Sequence, residues 1–153
     1  MTSRTTLRDI IFRILFRVEF NSLEEMDEQI SFALNELGDL SEEDEDFNKG
    51  KRLEQLPPED EQYVIDKVKA ILARIDDIDG YISEISDGWH INRLGKTELA
   101  ILRLAVYEIK FDDSIPFGVA VNEALELSKK YCKEDAKNFI NAILDKLKDN
   151  EDV

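Results

Sequence analysis

The sequence predicts an all-α protein of six to seven helices, arranged as a helical bundle or a pair of bundles. Three observations carry that expectation. Apolar residues recur at spacings of three and four along the chain, and no segment shows the alternation of a half-buried strand. Prolines and glycines stand at the borders of these periodic segments. At 153 residues, with 42% hydrophobic residues, the chain is long and apolar enough for a real core and too apolar for global disorder.

Taken in order, residues 3–20 read as the first helix, with Thr2 or Ser3 as N-cap and Asn21-Ser22 as its exit. Residues 24–37 form a second amphipathic helix on Met26, Ile30, Ala33, Leu34 and Leu37, closed by Gly38. The stretch 39–56 holds the acidic run Glu42 to Asp46 and few apolar anchors, so it reads as a solvated loop of unusual length. Pro57 and Pro58 suit a helix start, with Glu59, Asp60 and Glu61 well placed in its first turn. This helix carries Val64, Val68, Ile71, Leu72 and Ile75, and continues or kinks near Asp76 towards Ile85. Asp87-Gly88 is a turn, and Trp89 to Leu94 a linker or single helical turn. Residues 97–111 are apolar on most sides, as a central buried helix should be. Pro116 opens a helix to about Tyr131, residues 135–148 form the last, and the tail from Asp149, with 150–153 disordered, frays.

Charge narrows the function. The net charge of −15 argues against polyanion binding when taken whole, but its distribution does not. Residues 1–18 hold Arg4, Arg8, Arg13 and Arg17 against Asp9, a balance of +3. Residues 19–62 stand at −13 and residues 63–153 at −5, so the first helix is a basic island. No stretch approaches the roughly 20 apolar residues of a membrane span, and no signal peptide is read. The single Cys132 excludes an intramolecular disulfide and fits a reducing cytoplasm.

On the first helix, Leu7, Ile10, Ile11, Ile14, Leu15 and Val18 gather on one face as a core stripe. Phe12, Phe16 and Phe20, spaced by four, gather on nearly the opposite face. An amphipathic helix needs only one apolar stripe, so the second is either buried by another layer of the protein or a docking surface for a partner. Arg4 and Arg8 sit where the helix dipole disfavours cations, and with the free N–H groups there they suit a phosphate. A solvated basic face, with incidental ion pairing to the acidic segment, is the alternative reading.

The second half carries an ordered series of blocks. Trp89-His90-Ile91-Asn92-Arg93-Leu94 leads into Ile101-Leu102-Arg103-Leu104-Ala105-Val106-Tyr107-Glu108-Ile109. Ile115-Pro116, the run Val119 to Leu127 with Asn122-Glu123-Ala124, and Phe139-Ile140-Asn141-Ala142-Ile143-Leu144-Asp145 follow. Over about residues 87–147 this series resembles the NusB family of bacterial antitermination factors, and Arg4, Arg8, Leu15 and Phe16 extend the resemblance less closely to the first helix. The resemblance implies a single NusB-like domain over 1–149, built as two packed three-helix bundles, about 3–85 and 89–148. It implies a heterodimer with the small-subunit ribosomal protein called NusE, binding boxA-type single-stranded RNA within the RNA polymerase antitermination complex and promoting ribosomal RNA operon transcription. It places Arg4, Arg8, Asp135 and Phe139 near RNA, and Phe16 and Glu98 towards the ribosomal protein. Family members usually carry a denser arginine cluster, and here threonines stand between Arg4 and Arg8, which leaves fewer phosphate contacts.

Read from the residues themselves, Phe139 lies on the flank of the stripe Ala136, Ile140, Ile143 and Leu147, where it either stacks on a base or completes the core edge. Lys137, with Lys129, Lys130 and Lys133, extends a phosphate track that Glu134 and Asp135 partly offset. Glu98 also suits its own helix dipole without any partner. One histidine and one cysteine, with no metal-ligand spacing, phosphate loop or Ser-His-Asp order, argue against an enzyme and against any cofactor or metal. The competing expectation is a protein-interaction module of the same fold with weak or no RNA binding, or a homodimer through the phenylalanine stripe.

Overall fold

The computed structural model describes residues 3–36, 56–86 and 94–151. Among them the chain forms seven α-helices and two 3₁₀ turns, with no strand. The helices are α1 (Arg4–Phe16), α2 (Met26–Asn35), α3 (Pro58–Ala73), α4 (Ile75–Ile85), α5 (Lys96–Phe111), α6 (Phe117–Tyr131) and α7 (Ala136–Glu151). Gly38, residues 39–55 of the acidic loop, and the Asp87-Gly88 turn with Trp89 to Arg93 lie outside the described residues.

The local signals explain most boundaries. Ser3 caps α1: the Thr6 backbone N–H donates to its Oγ at 3.1 Å. Residues 17–20 leave the helix through a 3₁₀ turn, Arg17–Glu19, rather than continuing it. A second 3₁₀ turn, Leu23–Glu25, opens α2 behind a Ser22/Glu25 capping box. The proline-led starts hold, at Pro58 for α3 and after Pro116 for α6. The break between α3 and α4 needs neither proline nor glycine. Arg74 N bonds only three residues back, to Ile71 O at 3.1 Å, and the ladder resumes with Ile78 N to Arg74 O at 2.9 Å.

The contacts divide the chain into two compact units, 1–69 and 70–153. The sequence reading groups residues up to 85 with the first bundle. Here α4 belongs with the second unit, because it packs on α5 and α7. In the first unit the predicted α1 stripe is buried from Leu7 to Leu15, together with Met26, Ile30, Leu34, Val64 and Val68, while Val18 is only half-buried. In the second unit α5 buries ten residues and is the central element, packed by α4, α6 and α7. Arg103 of α5 clasps Asp79 of α4 with two hydrogen bonds of 2.9 Å. Lys146 of α7 donates to Ile85 O at 2.9 Å, placing a cation at the C-terminus of α4. Among the described residues no helix is long and apolar enough to cross a membrane.

Candidate functional site

A line of residues four apart runs along α1 and past its end: Arg4, Arg8, Phe12, Phe16 and, after the 3₁₀ turn, Phe20. Exposure changes along it. Arg4 is exposed, Arg8 and Phe12 are buried at 6% and 3%, Phe16 is half-buried and Phe20 is 59% exposed. Two site expectations are corrected by this. Arg8 holds its guanidinium inside the protein and already has a partner there, so it does not present a free phosphate ligand at the surface. Phe12 is a core residue and offers no docking face. Helical spacing placed both on the right line but could not show which part of that line another layer covers.

The remaining arginines of the basic island are largely spent within the first unit. Arg13 Nε pairs with Asp9 Oδ1 at 3.1 Å, one turn away. Arg17 donates to Gln29 Oε1 at 2.8 Å and to Glu36 Oε2 at 2.7 Å, tying the end of α1 to α2. Among the described residues Arg4 pairs with no carboxylate. Its guanidinium lies 3.9 Å over the ring of Tyr63 on α3. Lys67, one turn further along α3, donates from Nζ to Tyr63 Oη at 3.3 Å. Tyr63 and Lys67 escaped the sequence reading. Their spacing of four was visible, but their link to Arg4 joins two helices far apart in the chain.

At the other end of α1 the exposed apolar side chains are Phe20 and Leu23, and Phe32 of α2 is exposed as well. The Phe16 and Phe20 rings meet in a tilted contact, with centroids 5.3 Å apart and planes 59° to each other. This is the accessible part of the predicted protein-partner stripe.

In the second unit, Asp135, Lys137 and Phe139 come together around the start of α7. Asp135 is exposed, Lys137 and Phe139 are half-buried, and Phe139 N donates to Asp135 O at 3.4 Å. The exposed Lys133 and Lys130 precede them, with Lys130 Nζ 5.4 Å from the Tyr131 ring. Glu98 stands in the first turn of α5, its carboxylate folded back over Gly95, where a side-chain methyl group would overlap it. The Cys132 thiol is its neighbour. Burial, then the negative charge and hydrogen bond of Glu98, push that thiol from 9.0 to about 11. Cys132 is therefore neutral at physiological pH and a poor nucleophile.

A groove of about 480 Å³ lies in the same unit, lined by Asp76, Asp77, Gly80, Tyr81, Glu84 and Phe111. It contains none of the predicted site residues. Its rings already receive the chain's own cations, Arg74 4.5 Å over Phe111 and Lys110 5.1 Å from Tyr81.

Comparison with known proteins gives one answer over nearly the full length. Residues 5–149 match the NusB family. The transcription antitermination protein NusB of Agathobacter rectalis is 40% identical over 144 residues, covering 94% of this chain and 98% of that protein. Among solved structures, NusB of T. maritima superposes with a TM-score of 0.74 at 30% identity, covering 95% of this chain and 89% of the other. A structure of the antitermination factors NusB and NusE in complex with double-stranded RNA superposes with a TM-score of 0.71 at 27% identity, covering 93% and 92%. With a match running from residue 5 in α1 to residue 149 in α7, the chain belongs to the NusB family.

Proposed function

We propose that this chain is a transcription antitermination factor, a cytoplasmic binding protein and not an enzyme, that works as a heterodimer with the NusE-type ribosomal protein. The pair binds boxA-type single-stranded RNA within the RNA polymerase antitermination complex and promotes transcription of ribosomal RNA operons. The observation that carries this reading is the full-length NusB match, joined to a solved NusB–NusE complex with RNA on the same fold.

The residues divide by chemistry. Among the described residues Arg4 supplies an exposed guanidinium on the first unit, and Lys137 and Phe139, with Asp135 beside them, supply cation and ring in the second. Phe16, Phe20 and Glu98 face the ribosomal protein, the two rings as apolar anchors and the carboxylate as a polar one. Exposed apolar Phe20, Leu23 and Phe32 favour a protein partner on the first unit whatever the RNA affinity proves to be.

The test is a titration of the full chain with single-stranded and double-stranded boxA-like RNA, with and without the ribosomal protein. Affinity for the single strand should rise when the ribosomal protein is added, and Arg4→Glu should remove RNA binding while sparing the protein partner. RNA binding absent in both conditions refutes the reading and leaves a protein-interaction module. Sedimentation of the chain alone separates that module from a homodimer.

A further inference from the structure

We propose that Tyr63 is a positioning residue for RNA contact: its ring holds the exposed Arg4 guanidinium in place, as a preformed donor for an RNA phosphate. The inference rests on the assignment of Arg4 to RNA made above and adds a residue that neither the sequence pattern nor the family match assigns.

Three observations converge on it. Arg4 is the first residue of α1, where the helix dipole opposes a cation, and among the described residues no carboxylate offsets that. It is nevertheless held, with its guanidinium carbon 3.9 Å from the Tyr63 ring centroid, inside the range of a strong cation–π contact. With the guanidinium carbon over the ring face, Tyr63 occupies one side of the group and makes no hydrogen bond to its N–H donors. That leaves the two-pronged edge that matches phosphate oxygens available to a ligand. Arg4 is exposed, so a ligand can reach it from solvent.

The ring is itself fixed. Tyr63 is half-buried, and the buried Lys67 donates to its hydroxyl at 3.3 Å while lying 5.6 Å from the ring centroid. Two cations thus share one ring. The long Arg4 side chain, otherwise free to sample many rotamers, is ordered before RNA arrives, so less entropy is lost on binding.

The experiment is a double-mutant cycle on RNA binding by the full chain together with the ribosomal protein. Tyr63→Leu should weaken RNA binding about two- to fivefold, the worth of an exposed cation–π contact. Tyr63→Phe keeps the ring face and should recover most of that loss. In an Arg4→Ala background, Tyr63→Leu should have no further effect. The salt dependence gives a second readout. Arg4→Ala removes a phosphate contact and flattens the log–log slope by about 0.7, whereas Tyr63→Leu leaves the slope unchanged. Thermal melting and binding of the ribosomal protein control for folding.

Additive losses in the double variant, or a Tyr63→Phe loss as large as that of Tyr63→Leu, overturn the positioning role. If Arg4→Ala binds RNA like the parent, the assignment of Arg4 fails and the inference falls with it. If Arg4→Ala is weak and Tyr63→Leu is not, only the inference falls.

Discussion

Position along one helical line decides what each residue of α1 can do. Phe12 at 3% exposure and Phe20 at 59% are two turns apart and chemically identical, yet one is core and the other surface. Phe12→Ala should lower stability by about 3–5 kcal/mol, as for a large side chain removed from a packed interior, read by chemical denaturation. Phe20→Ala should leave the melting temperature unchanged and weaken the ribosomal protein, read by calorimetric titration. Equal effects of the two on stability would contradict the buried-to-exposed gradient. Cys132 gives a second test at this scale. Its pKa is raised in the fold, so stability tied to the neutral thiol is complete below 9.0 and is lost as pH climbs through about 11. Alkylation of the folded protein should accordingly reach half its maximal rate near pH 11. Glu98→Gln removes the neighbouring negative charge and should move that midpoint down; an unmoved midpoint would mean that burial alone raises it.

At the scale of elements, stability comes from ties between helices that sequence periodicity does not reveal. The Arg103–Asp79 clasp joins α4 to α5, with the arginine side chain 9% exposed and the aspartate 27%. Removing the acid leaves a mostly buried guanidinium short of its bidentate partner. Asp79→Ala should therefore cost about 2–3 kcal/mol, somewhat below a fully buried pair because solvent reaches the aspartate, and denaturant midpoints measure it. The elements themselves were legible. The capping of α1 by Ser3, the prolines ahead of α3 and α6, and the apolar α5 all act within a few residues, so the sequence displays them. The break at Arg74 was foreseen only as a continuation or a kink, since no helix-breaking residue marks it. Assignment of α4 to the second unit was missed for a related reason. It follows from packing on α5 and α7, and loop position gives no hint of that. Of the candidate site, the pattern picked out Arg4 and Phe20, which the structure leaves exposed. It could not see that Arg8 and Phe12 are covered, or that Tyr63 meets Arg4.

For the whole molecule, the distribution of charge sets how the chain can meet a polyanion. The net charge is −15, and the +3 of residues 1–18 is smaller in effect than in sum. Arg13 and Arg17 are paired with Asp9 and Glu36, and Arg8 is buried, which among the described residues of that segment leaves Arg4 as the exposed arginine without a carboxylate partner. If Arg4 and Lys137 hold RNA as proposed, the chain alone brings about two phosphate contacts. Each contact to a single strand contributes about −0.7 to the slope of log affinity against log salt, so the slope for the chain alone should be about −1.4. Between 50 and 200 mM salt that is a loss of only about sevenfold. Adding the ribosomal protein should raise affinity and steepen the slope, because new cations arrive with it and not from this chain. Filter-binding titrations over that salt range decide the point. A slope steeper than about −3 for the chain alone would mean that further lysines, such as Lys130 and Lys133, hold the backbone directly. An unchanged slope on adding the partner would mean that the partner helps by ordering this chain rather than by touching RNA.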